Sequence, residues 1–145
     1  MNKLRIALVN VIDPDKKTSM NKDLNGGFGT CDELGNSLSS KFLKFIKKNI
    51  IRLPIISFAY LQAIFKKQFH YVEYFEGKLP KINFDLILIY GTIVDYKNEN
   101  FTCKILKKRF PKAKVGFFGP FPSTMPELFN SGDFVLIGEP EYFFM

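Results

Sequence analysis

The sequence predicts an α/β domain built on a parallel sheet, and three observations carry that prediction. Short apolar runs recur along the chain at Leu4 to Val11, His70 to Phe75, Asp85 to Tyr90, Val115 to Phe118 and Phe134 to Ile137. The runs are apolar at nearly every position rather than at alternate ones, which is the pattern of strands covered on both faces. Between them lie stretches with helical spacing, so strands and helices alternate as crossover connections require. A chain of 145 residues, 46% apolar and with 17 Phe, is long enough to bury one substantial core, so a single domain spanning 1–145 is expected.

Each element follows from its residues. Leu4 to Val11 is the first strand. Leu38, Phe42, Phe45 and Ile46 recur on one side of an amphipathic helix that continues through Asn49 to Leu53 with its lysines outward. Pro54 divides it from a second helix, Ile55 to Lys67, because proline suits a helix start and disrupts an interior. His70 opens the second strand, and DLILIY, Asp85 to Tyr90, is the clearest buried strand, ended by Gly91. Phe101, Ile105, Leu106 and Phe110 define a third helix, stopped by Pro111. After the fourth strand, Thr124 stands three residues before Glu127 as a helix capping box, and Gly132 follows that helix. The expected product is a flavodoxin-like (Rossmann-like) five-stranded parallel sheet, order 2-1-3-4-5, with helices on both faces and the first and third strands adjacent at its centre.

A long loop from about 12 to 36 interrupts this alternation. Its Asn25-Gly26-Gly27-Phe28-Gly29-Thr30 lacks the strand-to-helix setting of a dinucleotide fingerprint and is read as a flexible loop, and Asp13, Asp15, Asp32 and Glu33 lack calcium-loop spacing. Asp13 and Asp15 after the first strand mimic a phospho-acceptor pocket, but no lysine closes the fifth strand, which argues against a response-regulator-like or flavin-binding module. Cys31 and Cys103 are too few and too distant for a disulfide framework or a metal site. The net charge of +7 gathers in Lys41-Lys44-Lys47-Lys48 and Lys104-Lys107-Lys108-Arg109, read as solvated helix faces, with no basic-aromatic interleaving for nucleic acid. The longest apolar run, Leu53 to Phe65, is broken by Gln62 and too short to span a bilayer, and the N-terminus lacks secretory features, so a cytoplasmic protein is expected.

The last quarter of the chain is the most distinctive. Gly119, Pro120, Pro122, Thr124, Pro126 and Glu127, followed by Asp133, Phe134, Val135, Gly138, Glu139 and Glu141, resemble the corresponding block of the N-terminal cobalamin-binding domain of cobalamin-dependent radical SAM enzymes. Leu4 to Asn10 is similar to the opening strand of that family, and Pro54, Ala59, Tyr60 and Leu61 match its first long helix. The chain departs from the pattern at Phe118, Phe121 and Pro140.

The resemblance implies a corrinoid lying across the C-terminal ends of the strands, facing Gly91, Thr92 and Ile93, then Gly119, Pro120, Phe121, Pro122 and Ser123, then Gly138, Glu139 and Glu141. Glycines there would permit close approach, and the Thr92 and Ser123 hydroxyls would hydrogen-bond corrin amides. No DxHxxG motif supplies an axial imidazole, and His70 is read as a packed structural residue. No CxxxCxxC is present, so no iron-sulfur cluster, and no radical step, is expected from this chain; a radical SAM domain, in cis or in trans, is the implied partner. No residue stands out as acid, base or nucleophile. Two expectations follow, a cobalamin-binding-like domain and, because of the three departures, a catalytically silent interaction domain that has lost the cofactor.

Overall fold

The computed structural model describes residues 3–12, 35–49, 55–68 and 70–145. The Pro54 break, Cys31, the glycine-rich 25–30 segment and the acidic residues of the long loop all lie outside the described residues. By the density of internal contacts the chain separates into two compact units, residues 14–55 and the remainder. In the smaller unit, α1 spans Leu38–Asn49. Its first turn is held by the Ser37 hydroxyl, which accepts the Ser40 amide at 3.2 Å, the capping geometry that satisfies a free helical N–H.

The larger unit carries the sheet. Its strands are β1 (Arg5–Asn10), β2 (Tyr71–Glu76), β3 (Leu86–Tyr90), β4 (Lys114–Phe118) and β5 (Phe134–Val135), all parallel, in the order β2-β1-β3-β4-β5. The expected order and the central β1–β3 pair are therefore present, with Ile6 opposite Leu86 and Val9 opposite Ile89. The fifth strand is shorter than expected: pairing stops after Val135, although the Leu136 amide still donates to the Phe117 carbonyl at 2.9 Å.

Strand alternation assigns the two faces. Ala7, Val9, Ile87, Ile89, Val115 and Phe117 point to the side covered by α3, Tyr96–Arg109, where they pack with Cys103, Leu106, Phe110 and Phe129. The opposite face carries Ile6, Leu8, Leu88, Tyr90 and Phe118, covered by α2, Ile56–Lys67. There the Phe58 ring meets Tyr74, Tyr90 and Phe118 at centroid distances of 5.0, 5.7 and 5.3 Å. Helices on both faces explain why the strands read as continuous apolar runs. Each fully buried phenylalanine contributes about 1.5–3 kcal/mol, and Phe65, Phe117, Phe118 and Phe129 are all in that class.

Two helical expectations are corrected. Of the residues expected to define the third helix, Leu106 and Phe110 are buried but Phe101 is exposed; α3 begins at Tyr96, and its inward face is Glu99, Thr102, Cys103 and Leu106. No helix begins at Thr124 with a capping box. Instead α4 (Pro120–Thr124) starts directly after β4, Thr124 closes it by donating its hydroxyl to the Pro120 carbonyl, and a separate 3₁₀ turn, Pro126–Phe129, follows. Pro120 sits in the first turn, where its missing N–H costs nothing, whereas Pro126 cannot continue the helical ladder and forces a new start.

Candidate functional site

Because all five strands are parallel, their C-terminal ends share one edge, and it is there that Asn10, Gly91, Gly119 and Gly138 emerge. Open α/β sheets bind ligands in this position. The N-terminus of α2 is at the same edge, since Phe58 in its first turn touches the last residues of β3 and β4.

The three glycines at this edge differ in what surrounds them. A Cβ at Gly91 would overlap Pro122 Cγ and come within 2.8 Å of Phe129 Cε1, so the absence of a side chain there is used by α4 and the 3₁₀ turn closing over β3. Gly119 has φ 122°, and a Cβ would meet Tyr90 Cε2 at 2.9 Å and the Gly91 carbonyl at 3.2 Å. Both sites are filled by the chain itself. Gly138 is the contrast: φ is 89°, and no atom lies within 4 Å of where a Cβ would stand.

Both hydroxyls expected to reach a ligand make internal bonds. Thr92 is buried and donates its backbone N–H and its hydroxyl to the two carboxylate oxygens of Glu99, each at 2.8 Å. Glu99 is fully buried, and these donors offset part of the cost of placing a carboxylate there. Ser123 donates to the Gly119 carbonyl at 2.8 Å and accepts the Gly138 amide at 2.9 Å, a clasp between the turns that follow β4 and β5. Phe121 is half-buried with its ring against Tyr96 and Phe129, and Pro122 is buried. Ile93, Pro120 and Glu139 are exposed.

Glu141 lies on a 3₁₀ turn, Pro140–Phe143, within a segment that returns along α2: Phe144 packs on Phe65 at 4.8 Å, and its carbonyl accepts from Gln68. Glu141 Oε2 is buried without a hydrogen-bond partner among the described residues. The resemblance groups Gly138 to Glu141 as one cofactor-facing turn; in the fold Gly138 and Glu139 precede the 3₁₀ turn, and Pro140 and Glu141 open it.

His70 is at the opposite edge. It precedes β2, is buried, accepts the Leu4 amide on Nδ1 at 3.2 Å and faces Phe65. That is the packed structural role expected of it. Asp133, matched by the resemblance, is also structural: Oδ2 accepts the Val115 amide at 2.8 Å, and Oδ1 pairs with Lys107 at 2.7 Å. The Lys107 ammonium and the Val115 amide hold its carboxyl below the ordinary range. In the second basic cluster Lys104 and Lys108 are exposed, while Arg109 donates to the Pro80 carbonyl at 3.1 Å. Cys103 is buried, which pushes its thiol above the usual value, against the opposing effects of a Ser131 hydrogen bond and nearby Lys107.

Two residues at the edge were not anticipated from the sequence. Glu99 reads as an outward polar position of an amphipathic helix. Asn10 ends an otherwise apolar strand, a position where asparagine is disfavoured, and that mismatch was the available signal. The residue is 6% exposed, and Oδ1 has no hydrogen-bond partner among the described residues. Among those residues no group of His, Cys, Asp and Glu is arranged to hold a metal ion, and no helix is long and apolar enough to cross a membrane.

Fold and edge together define a parallel α/β domain of flavodoxin-like architecture. Comparison with known proteins finds no matching family model, no matching curated protein and no matching solved structure.

Proposed function

We propose that the chain is a corrinoid-binding-like domain that takes cobalamin at the C-terminal edge of its sheet and works with a radical SAM domain in cis or in trans. The observation that carries the reading is the Gly138 turn, a positive-φ glycine at the strand ends with open space before it and a backbone fixed by Ser123. The resemblance of the Gly119 to Glu141 block supports the same ligand. Gly138 and Glu139 would border the cofactor, and Ser123 would position them. When bound, the corrinoid would supply a cobalt centre able to carry a methyl group. His70, packed at the far edge, would take no part in holding it.

The direct test is absorption spectroscopy of purified protein incubated with hydroxocobalamin and then desalted. Retention of cobalamin at about one per chain is the expected result; its complete loss on desalting would end this reading. Gly138→Leu is expected to lower retention about tenfold or more by filling the open approach, whereas His70→Ala leaves the spectrum of any bound cobalamin unchanged. The opposite ranking would identify His70 as an axial ligand.

A second reading, a catalytically silent interaction domain, is favoured by the occupied sites. Gly91 and Gly119 are closed by Pro122, Phe129 and Tyr90, and the Thr92 and Ser123 hydroxyls make internal bonds. Ile137, Tyr142 and Phe143 present apolar surface near the end of the chain, suited to contact with another protein. Failure to retain cobalamin with the fold intact would favour this reading.

A further inference from the structure

We infer that Asn10 is a ligand-contacting residue whose Oδ1 accepts a hydrogen bond from an N–H or O–H group of the bound molecule. Three observations converge on it. First, it is the last residue of β1 and stands beside the end of β3, the point where the strand order reverses and where open α/β sheets bind ligands. Second, it is a polar side chain placed by strand alternation on the α2 face after Ile6 and Leu8, where an apolar residue would continue the core. Third, its Oδ1 is buried and has no partner among the described residues, a state that lowers stability and persists where a ligand satisfies it.

The surroundings limit what could replace that partner. The Asn10 backbone carbonyl already accepts the Gly77 amide at 3.0 Å, which fixes the strand end. On the same face its neighbours are Glu76, its registered partner at the end of β2, and Tyr90 at the end of β3, whose ring packs with Phe58 and Phe118 at 5.7 and 5.4 Å. The acceptor therefore lies between a carboxylate-bearing strand end and an aromatic ring, a setting for a ligand that offers N–H or O–H donors beside an apolar surface. A corrinoid rim, with carboxamide N–H groups on an apolar macrocycle, has that chemistry. The identity of the ligand rests on the function proposed above; the role of Asn10 as an unsatisfied acceptor does not.

The test compares wild type, Asn10→Leu and Asn10→Asp, each measured for thermal unfolding without ligand and for retention of hydroxocobalamin. Leucine has a similar shape and no polar atom, so Asn10→Leu is expected to raise the unfolding midpoint of the free protein by about 2–4 °C and to weaken cobalamin retention about tenfold. Asn10→Asp keeps an acceptor, so it is expected to retain cobalamin within about threefold of wild type while unfolding at a lower temperature. A lower midpoint for Asn10→Leu would show that the amide is already satisfied in the free protein and would overturn the inference. Equal loss of retention in both variants would also overturn it, since the effect would not follow the acceptor. If wild type retains no cobalamin but Asn10→Leu is stabilised as stated, the corrinoid reading fails and the acceptor remains assigned to a different donor-bearing ligand.

Discussion

Asp133 shows how one side chain joins two strands and a helix. Its carboxylate accepts the first free amide of β4 and pairs with Lys107 of α3, while its own amide donates to the Val115 carbonyl at 2.7 Å. The folded-state carboxyl titrates below its unfolded value, so its contribution is present above the unfolded value near 4 and is lost as pH falls through the depressed folded value. Urea midpoints of wild type are expected to begin falling below about pH 5, and Asp133→Asn is expected to flatten that part of the profile. Asn keeps an acceptor for Val115, so Asp133→Asn at neutral pH is expected to cost less than about 1 kcal/mol, and Asp133→Ala more. Gly91→Ala tests the closure over β3. The added methyl must displace Pro122 or Phe129, and a loss of about 1–3 kcal/mol in urea unfolding is expected.

At the scale of elements, the turns after β4 and β5 behave as one piece because a single hydroxyl links them. Ser123→Ala removes the acceptor of the Gly138 amide, and hydrogen exchange at that amide is expected to rise about fivefold, corresponding to about 1 kcal/mol, with the sheet amides unaffected. Equal exchange in the variant would show that the turn is held by other contacts. The helix α3 was expected to bury Phe101, yet it presents Glu99, Thr102, Cys103 and Leu106 to the sheet. A carboxylate reads as solvent-facing from periodicity alone, and the Thr92 donors brought to it by the β3–α3 turn offset part of the cost of its burial. Cys103 is sealed beneath the same helix with a raised thiol pKa. In a Cys31→Ser background, its reaction with a thiol reagent is expected to be slow in the native protein and to rise to the free-thiol rate only on unfolding.

For the molecule as a whole, the order of the five strands was legible because each is an apolar run bounded by glycine, proline or a helical segment, and because parallel strands joined by right-handed crossovers have few arrangements. The Leu4 to Val11 and Asp85 to Tyr90 runs could be read as neighbours before any coordinates. Element boundaries were less legible around prolines. Thr124 and Glu127 have capping-box spacing, but Pro120 already satisfies a helix start and Pro126 a helix break, and spacing alone does not rank these signals.

The sequence by itself determined the fold class, the sheet order and which edge carries the C-terminal strand ends, since these depend on periodicity and chain direction, which are local properties. Only the tertiary structure decided which edge residues remain available to a ligand. The residues Gly91, Gly119 and Gly138 are alike in sequence; the first two are closed by Pro122, Phe129 and Tyr90, and the third is open. Thr92 and Ser123 bear hydroxyls suited to a ligand, and each is bonded instead to a group remote in the chain or across a turn. Asn10, inconspicuous at the end of a strand, is left with a buried acceptor. Availability is a property of three-dimensional neighbours, because a hydrogen-bond partner or a filled volume is supplied by whichever residue the fold brings within about 3 Å, whatever its distance in sequence.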